Sequence, residues 1–182
     1  MRDLSRTAMA LAAFFYSTCA IAEIIEVSPG TFICEARRGH FDQTEVSRYV
    51  NGDTISGSIR AISEDSGTRY ASSAALRFEL SDGLSIGADV VADNRHPGFV
   101  YVVIRGGRNM RDQSTFVSAP REIAVPVSAT YSERGILTVR SGRFSRSVRV
   151  RRRGPVEPRI HCQGGRFQIT VMTEEPAPPR AQ

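Results

Sequence analysis

Residues 70–91 read YASSAALRFELSDGLSIGADVV, and the alternation of apolar and polar side chains in this stretch decides the fold. Leu76, Phe78 and Leu80 occupy every second position, so they share one side of a β-strand. Arg77 lies between them in sequence and is expected to face water on the other side. The Ser-Asp-Gly sequence that follows is a turn, and the alternation then resumes. The stretch therefore predicts an antiparallel hairpin with one buried face.

The same period of two extends along most of the chain, with turn residues about every eight to twelve positions. Asn51-Gly52 predicts a tight turn that joins strands at 46–50 and 54–62 into a second hairpin. No segment shows an amphipathic helical pattern bounded by capping residues. Further strands are predicted at residues 31–35, 99–105, 122–131, 136–140, 143–151 and 166–173.

These strands predict an all-β, antiparallel two-sheet β-sandwich of the jelly-roll or lectin-like type, with little or no helix. Two packed sheets are favoured over one open sheet because they protect the strand edges better. We assign residues 23–173 to a single domain, which is long enough for one hydrophobic core. Residues 174–182, EEPAPPRAQ, are predicted to form a disordered, proline-rich tail.

The first 22 residues have the order that is typical of a secretory signal peptide. Two arginines come first, an uncharged apolar run follows, and small residues end the segment at Ala22. A membrane span needs about 20 apolar residues, which is more than this run supplies, so a retained anchor is the weaker alternative. We therefore expect a periplasmic or secreted protein with no transmembrane segment after cleavage of residues 1–22.

Cleavage would leave two cysteines, Cys34 and Cys162, near the two ends of the domain. A pair of cysteines in a small exported domain predicts a disulfide bond. Two buried thiols that never meet are the alternative. Because the bridge would close a long loop, it would stabilise the fold by about 4 to 5 kcal/mol in the chain-entropy model.

Positive charge is concentrated near the end of the chain. Residues 23–133 carry 11 arginines and 15 acidic residues, a net charge of −4, whereas residues 134–182 carry 11 arginines and three acidic residues, a net charge of +8. With a two-residue turn at Ser141-Gly142, Arg140 would face Arg143 and Phe144 would point inward. The exposed side of this predicted hairpin would then hold Arg140, Arg143, Arg149 and Arg151.

These four arginines are the candidate anion-binding residues of the sequence. Guanidinium groups present a fork of donors that suits phosphates and carboxylates, and in a cell envelope the available anions are lipid phosphates, acidic glycans and acidic proteins. A charged strand edge that only prevents aggregation is the alternative. Nucleic acid is not expected as a partner, because aromatic side chains do not alternate with the arginines on one face.

Other motifs carry weaker signals. Ser85 sits in a G-x-S-x-G pattern, but a nucleophile elbow needs a helix after its turn, and here a strand is predicted. Asp89, Asp93 and Asn94 are the best candidates for calcium, although turn chemistry explains them better. The histidines lack the spacing of metal ligands. We predict no catalytic residues, no metal and no cofactor.

The sequence thus favours a non-enzymatic binding or accessory module of the cell envelope or the secreted space, with its ligand left open. A secreted hydrolase of glycans or esters, using paired acids or Ser85, is the first alternative. A structural subunit of an envelope assembly is the second, and an extended exposed apolar patch would favour it.

Overall fold

The protein, in a computed structural model, consists almost entirely of β-strands. The structure describes residues 22–50, 52–64, 71–106, 115–150 and 156–172. The described residues therefore do not include residues 1–21 of the predicted signal peptide, the predicted tail, or the single positions Asn51 and Arg151. Within the described residues, a 3-10 turn at Ser47–Tyr49 is the one helical element. The strands are β1 (Ala22–Ser28), β2 (Thr31–Glu45), β3 (Thr54–Glu64), β4 (Ser73–Leu80), β5 (Ser85–Ala92), β6 (Phe99–Arg105), β7 (Thr115–Pro120), β8 (Val125–Tyr131), β9 (Ile136–Ser141), β10 (Phe144–Arg149) and β11 (Val156–Met172).

The long strand β11 belongs to both layers of the fold. Its first half pairs with β4 and its second half pairs with β3, while β2 runs along the other side of both halves. The change of partner falls at Gly164 and Gly165, which both have positive φ angles. A Cβ atom on Gly165 would lie 2.9 Å from the backbone oxygen of Ser63, so a side chain is not tolerated there.

One layer continues from the first half of β11 through β4, β5 and β6 to the edge strand β7, and the other continues from its second half through β3, β8 and β9 to β10. All the pairings are antiparallel. The layers meet face to face, since a single apolar cluster takes residues from both. This confirms the predicted two-sheet sandwich. The largest fully buried side chains include Phe78, Leu76, Ile86 and Ile104 from one layer and Phe167, Ile55, Ile59 and Leu137 from the other.

The hairpin that the opening stretch predicts is present as β4 and β5. Leu76, Phe78 and Leu80 are buried in the core, as their alternation indicates. Arg77, which was expected to face water, is only 7% exposed. The alternation correctly places Arg77 on the side away from the core, but the face it occupies is itself largely buried.

The prediction of a hairpin around Asn51-Gly52 is wrong. Residues 46–50 contain the 3-10 turn rather than a strand, and β3 pairs with β8 and β11 instead. Tertiary contacts override the local pattern here. Val46 is fully buried, and the ring of Tyr49 packs edge-on against Phe32 with centroids 5.9 Å apart. The structure also adds β1, β7 and the first half of β11 to the predicted strands.

The disulfide between Cys34 and Cys162 is confirmed. Both cysteines are fully buried, and their Cα atoms are 6.3 Å apart. Cys162 lies in the half of β11 that pairs with β4, whereas Cys34 pairs with Phe167 in the other half. The bridge therefore ties β2 to β11 across the glycines where β11 changes its partner.

Removing this bridge is expected to cost much of the stability of the fold. The double variant Cys34→Ala/Cys162→Ala should lower the free energy of unfolding by about 4 kcal/mol, because the unfolded chain regains the entropy of a long loop. Urea unfolding followed by circular dichroism measures the change, and reduction of the wild-type protein should reproduce it. An unchanged unfolding midpoint would contradict a structural role for the bridge.

Candidate functional site

A group of polar residues joined by ion pairs and hydrogen bonds lies on the side of β4, β5, β6 and the first half of β11 that faces away from the core. Strand register arranges them in rows: Arg159, Arg77, Gly87 and Arg105 are successive cross-strand partners. Glu157 and Glu79 form a neighbouring row on one side of this row, and His161 and Asp89 belong to the row on the other. We call this surface the charged face, defined by Arg77, Glu79, Asp89, Arg105, Glu157, Arg159 and His161.

Asp89 is the centre of the charged face. Its side chain is fully buried and accepts two hydrogen bonds from Arg77, from Nε at 2.9 Å and from Nη2 at 2.7 Å. Arg105 donates a third from Nε at 2.8 Å. Burial by itself raises the pKa of Asp89, but the charges and hydrogen bonds of Arg77 and Arg105 outweigh burial and hold that pKa below its ordinary value. The three side chains form an ion network with one excess positive charge.

Gly87 leaves room for the close approach of Arg77 on the neighbouring strand. It lies directly between Arg77 and Arg105 in the row. A Cβ atom on Gly87 would lie 2.7 Å from the Cα atom of Arg77 and 3.1 Å from its Cγ atom. The Cα atom and the stem of Arg77 thus occupy the space that a side chain at position 87 would need.

His161 lies on the same face, but it is buried and one of its ring nitrogens has no hydrogen-bond partner among the described residues. The residue is 9% exposed, and that nitrogen is Nδ1. Burial first, and then the positive charge of Arg77, lower the pKa of His161 to about 3, so the imidazole is neutral at pH 7. Its ring stacks on that of Phe41, with centroids 5.6 Å apart and planes inclined at 21°, and Phe41 is 64% exposed.

An open groove lies at one end of the charged face. It has a volume of about 360 Å³ and is lined by Glu79, Leu80, Ser81, Gly83, Glu157 and Arg159. Arg159 holds Glu157 through a hydrogen bond of 2.8 Å and has its Nε atom 2.6 Å from a carboxylate oxygen of Glu79. One guanidinium group is therefore held between two carboxylates on neighbouring strands, where polar atoms meet solvent.

A second groove of about 480 Å³ lies where β5 leads into β6, lined by Asp93, Asn94, Arg95, His96, Tyr101 and Ser118. Asp93 accepts hydrogen bonds from the backbone N–H groups of Arg95 and His96, at 2.8 Å and 3.2 Å. This is a turn, so turn chemistry explains Asp93, while Asp89 belongs to the ion network. No group of His, Cys, Asp and Glu suited to a metal ion occurs in the described ranges.

The arginine-rich hairpin exists as β9 and β10, but its turn lies one residue later than predicted, so each pairing is shifted by two residues. Ser141 pairs with Phe144, so the turn is Gly142-Arg143, with φ +56° at Gly142. Arg140 faces Ser145 rather than Arg143, and no two arginines oppose each other. Phe144, expected to point inward, is 46% exposed, and the guanidinium group of Arg143 lies 5.3 Å from its ring centre.

Strand pairing places none of the described candidate arginines of the hairpin directly opposite another. Arg140 pairs with Ser145 and Arg149 with Ile136, Arg143 is in the turn, and Arg151 lies outside the description. Among the described residues no carboxylate forms an ion pair with Arg140, Arg143 or Arg149. Anion binding by these residues stays a prediction.

Ser85 is the first residue of β5 and pairs with Glu79, and β5 continues after it as a strand. The nucleophile elbow is therefore absent at Ser85. The grouping of Arg77, Asp89, Arg105 and His161 was not predicted from the sequence. The available signal was an arginine and an aspartate on the same side of one predicted hairpin.

No helix in the described segments has the length and apolar character of a membrane span.

No model of a known protein family and no curated protein matches the sequence. Solved structures with a similar course of the chain include the carbohydrate-binding module CBM66 from Bacillus subtilis, at 11% identity and a TM-score of 0.40 over 79% of this chain and 81% of that one. The potassium-bound carbohydrate recognition domain of Emp46p matches at 13% and 0.46, over 85% and 88%. An alginate lyase from Alteromonas sp. 272 matches at 12% and 0.44, over 86% and 77%. At this level of similarity we draw no functional conclusion from them.

The buried, neutral state of His161 predicts a specific dependence of stability on pH. The unfolded chain takes up a proton at this histidine near pH 6.5 and the folded protein only near pH 3, so stability falls as the pH drops through this interval. Between pH 7 and pH 5 the free energy of unfolding should fall by about 2 kcal/mol more in the wild type than in His161→Phe, which keeps a ring against Phe41.

Urea unfolding at the two pH values measures this difference. His40→Gln, a change at an exposed histidine, is the matched control and should retain the wild-type dependence. An equal pH dependence in the wild type and His161→Phe would show that folding does not lower the pKa of His161.

Proposed function

We propose that the protein is a non-catalytic glycan-binding module of the periplasm or the secreted space, and that the charged face together with Phe41 contacts the sugar. The observation that carries the proposal is the exposed ring of Phe41, stacked on His161 of the charged face, which also carries donors and acceptors held in ion pairs. Sugars present apolar ring faces and hydroxyl groups that both donate and accept. Binding them requires an aromatic surface and oriented polar groups together.

The open groove supplies such polar groups. Glu79 and Glu157 offer acceptor oxygens and Arg159 offers donors, and the ion contacts among them hold all three in place. Because these side chains extend from paired strands rather than from loops, little conformational freedom remains to be lost on binding. Hydroxyl groups that bridge carboxylate and guanidinium groups fit this arrangement.

The balance of charge favours a glycan over an anionic membrane or an acidic protein. Arg77, Arg105 and Arg159 on the charged face are opposed by Glu79, Asp89 and Glu157. A membrane-binding surface needs an excess of several positive charges over a broad area, which this face lacks. The disulfide fits an oxidising compartment, in agreement with the predicted signal peptide.

Affinity electrophoresis in gels that contain xylan, galactan, dextran, alginate, polygalacturonate or hyaluronan tests the proposal. We expect retardation by at least one of these polysaccharides and about tenfold weaker binding by Phe41→Ala, since burying an aromatic ring contributes about 1.5 to 3 kcal/mol. Phe144→Ala, which removes an exposed ring from the hairpin, is the matched control and should bind like the wild type. Equal losses of binding in the two variants would show that the charged face is not the specific contact surface for the polysaccharide.

Glycoside hydrolysis is a second candidate function with one observation in its favour. Glu79 and Glu157 are direct cross-strand partners in the same groove, and retaining glycosidases use two carboxyl groups about 5 Å apart. Arg159 holds both carboxylates in ion contacts, which restricts their approach to a glycosidic bond.

The release of new reducing ends from the same polysaccharides distinguishes hydrolysis from binding. We expect none from the wild-type protein. Release that is abolished by Glu79→Gln or Glu157→Gln, with binding retained, would establish hydrolysis in place of simple recognition.

A further inference from the structure

The ion network on the charged face carries an unbalanced positive charge in a largely buried setting. Asp89 has no exposed side-chain surface and Arg77 has 9%, yet one carboxylate serves two guanidinium groups. No other described acid forms an ion pair with Arg77 or Arg105. A partly buried charge without a partner is costly, so the network has the electrostatics of a site for one further anionic group.

Arg77 and Arg105 are not equivalent in this network. Arg77 uses Nε and Nη2 in a two-point contact with Asp89, whereas Arg105 contacts Asp89 only through Nε. No described residue accepts a hydrogen bond from either terminal nitrogen of Arg105. Its side chain is 22% exposed, and it is the last residue of β6. The terminal nitrogens of Arg105 therefore form the accessible donors, while Arg77 positions the carboxylate that orients Arg105.

His161 is a further polar residue of the charged face with an unused hydrogen-bonding atom. It is more than nine-tenths buried, and its Nδ1 atom lacks a partner among the described residues. It belongs to the same row as Asp89, with Ala75 of β4 between them. A buried polar atom without a hydrogen bond is uncommon in a folded protein, and here the ring of Phe41 stacks on the imidazole.

On the premise that the charged face binds a glycan, we propose that this glycan carries carboxylate groups, as uronic acids do. The terminal nitrogens of Arg105 hold one carboxylate, and the exposed ring of Phe41 contacts the sugar ring. A planar guanidinium group binds a carboxylate through two parallel hydrogen bonds, a geometry that an ammonium group cannot reproduce. Arg105 is then the residue that distinguishes acidic from neutral sugars.

Isothermal titration with paired oligosaccharides tests the proposal. The probes are hexamers of galacturonate, of mannuronate and of hyaluronan, each compared with the same hexamer after chemical reduction of its carboxyl groups to alcohols. We expect the wild-type protein to bind at least one acidic hexamer about tenfold more tightly than its reduced form. Arg105→Lys keeps the charge but loses the fork, and it should remove most of this preference.

Arg149→Lys, on the exposed hairpin, is the matched control and should keep the wild-type preference. Thermal unfolding of both variants verifies that they are folded. Equal affinity of the acidic and reduced hexamers would overturn the proposal while leaving glycan binding intact. A preference that is lost in Arg149→Lys and retained in Arg105→Lys would move the anion site to the hairpin. Binding of neither form, together with no retardation by any polysaccharide, would refute the proposed function itself.

Discussion

The contact of Asp89 with two arginines is the interaction on which the charged face depends. A fully buried carboxylate is tolerated because Arg77 and Arg105 donate three hydrogen bonds to it. In turn the carboxylate holds two long, otherwise flexible side chains in single positions. Removing it would leave two cations close together with no opposing charge, so the geometry of this face cannot be separated from Asp89.

The fold brings the remaining residues of the face to this network through strand register. Arg159 and His161 reach β4 only because the first half of β11 pairs there before its second half turns to β3. The disulfide lies next to that change of partner and fixes β2 against β11, and β2 carries Phe41. The disulfide therefore fixes β2 against β11, and the ion network joins β4, β5 and β6, so that both hold strands of the same surface in place.

Much of the architecture could be predicted because alternation reports burial on one face of a strand. Leu76 and Phe78 are buried in the core for that reason. Alternation does not report what happens on the other face, so the burial of Arg77 was not foreseen. Register is equally hidden: moving one turn from Ser141-Gly142 to Gly142-Arg143 shifts every pairing of β10 by two residues. Phe144 keeps its predicted side of the strand but now lies beside the turn of an outermost strand, where it is exposed.

The candidate site was missed for a related physical reason. Its members come from β4, β5, β6 and β11, and the pairing of β11 with β4 joins residues that are far apart in sequence. Sequence patterns indicated a charged hairpin because its arginines are adjacent along the chain. The charged face contains fewer arginines, and its character comes from burial and from contacts between distant strands.

A titration followed by backbone and arginine-side-chain NMR tests the central claim most directly. The protein, labelled with nitrogen-15, is titrated with whichever polysaccharide fragment it binds. The account predicts that the largest shifts fall on Arg105, on Arg159 and on the strands that carry Phe41 and His161. Shifts confined to β9 and β10, with the charged face unchanged, would contradict it.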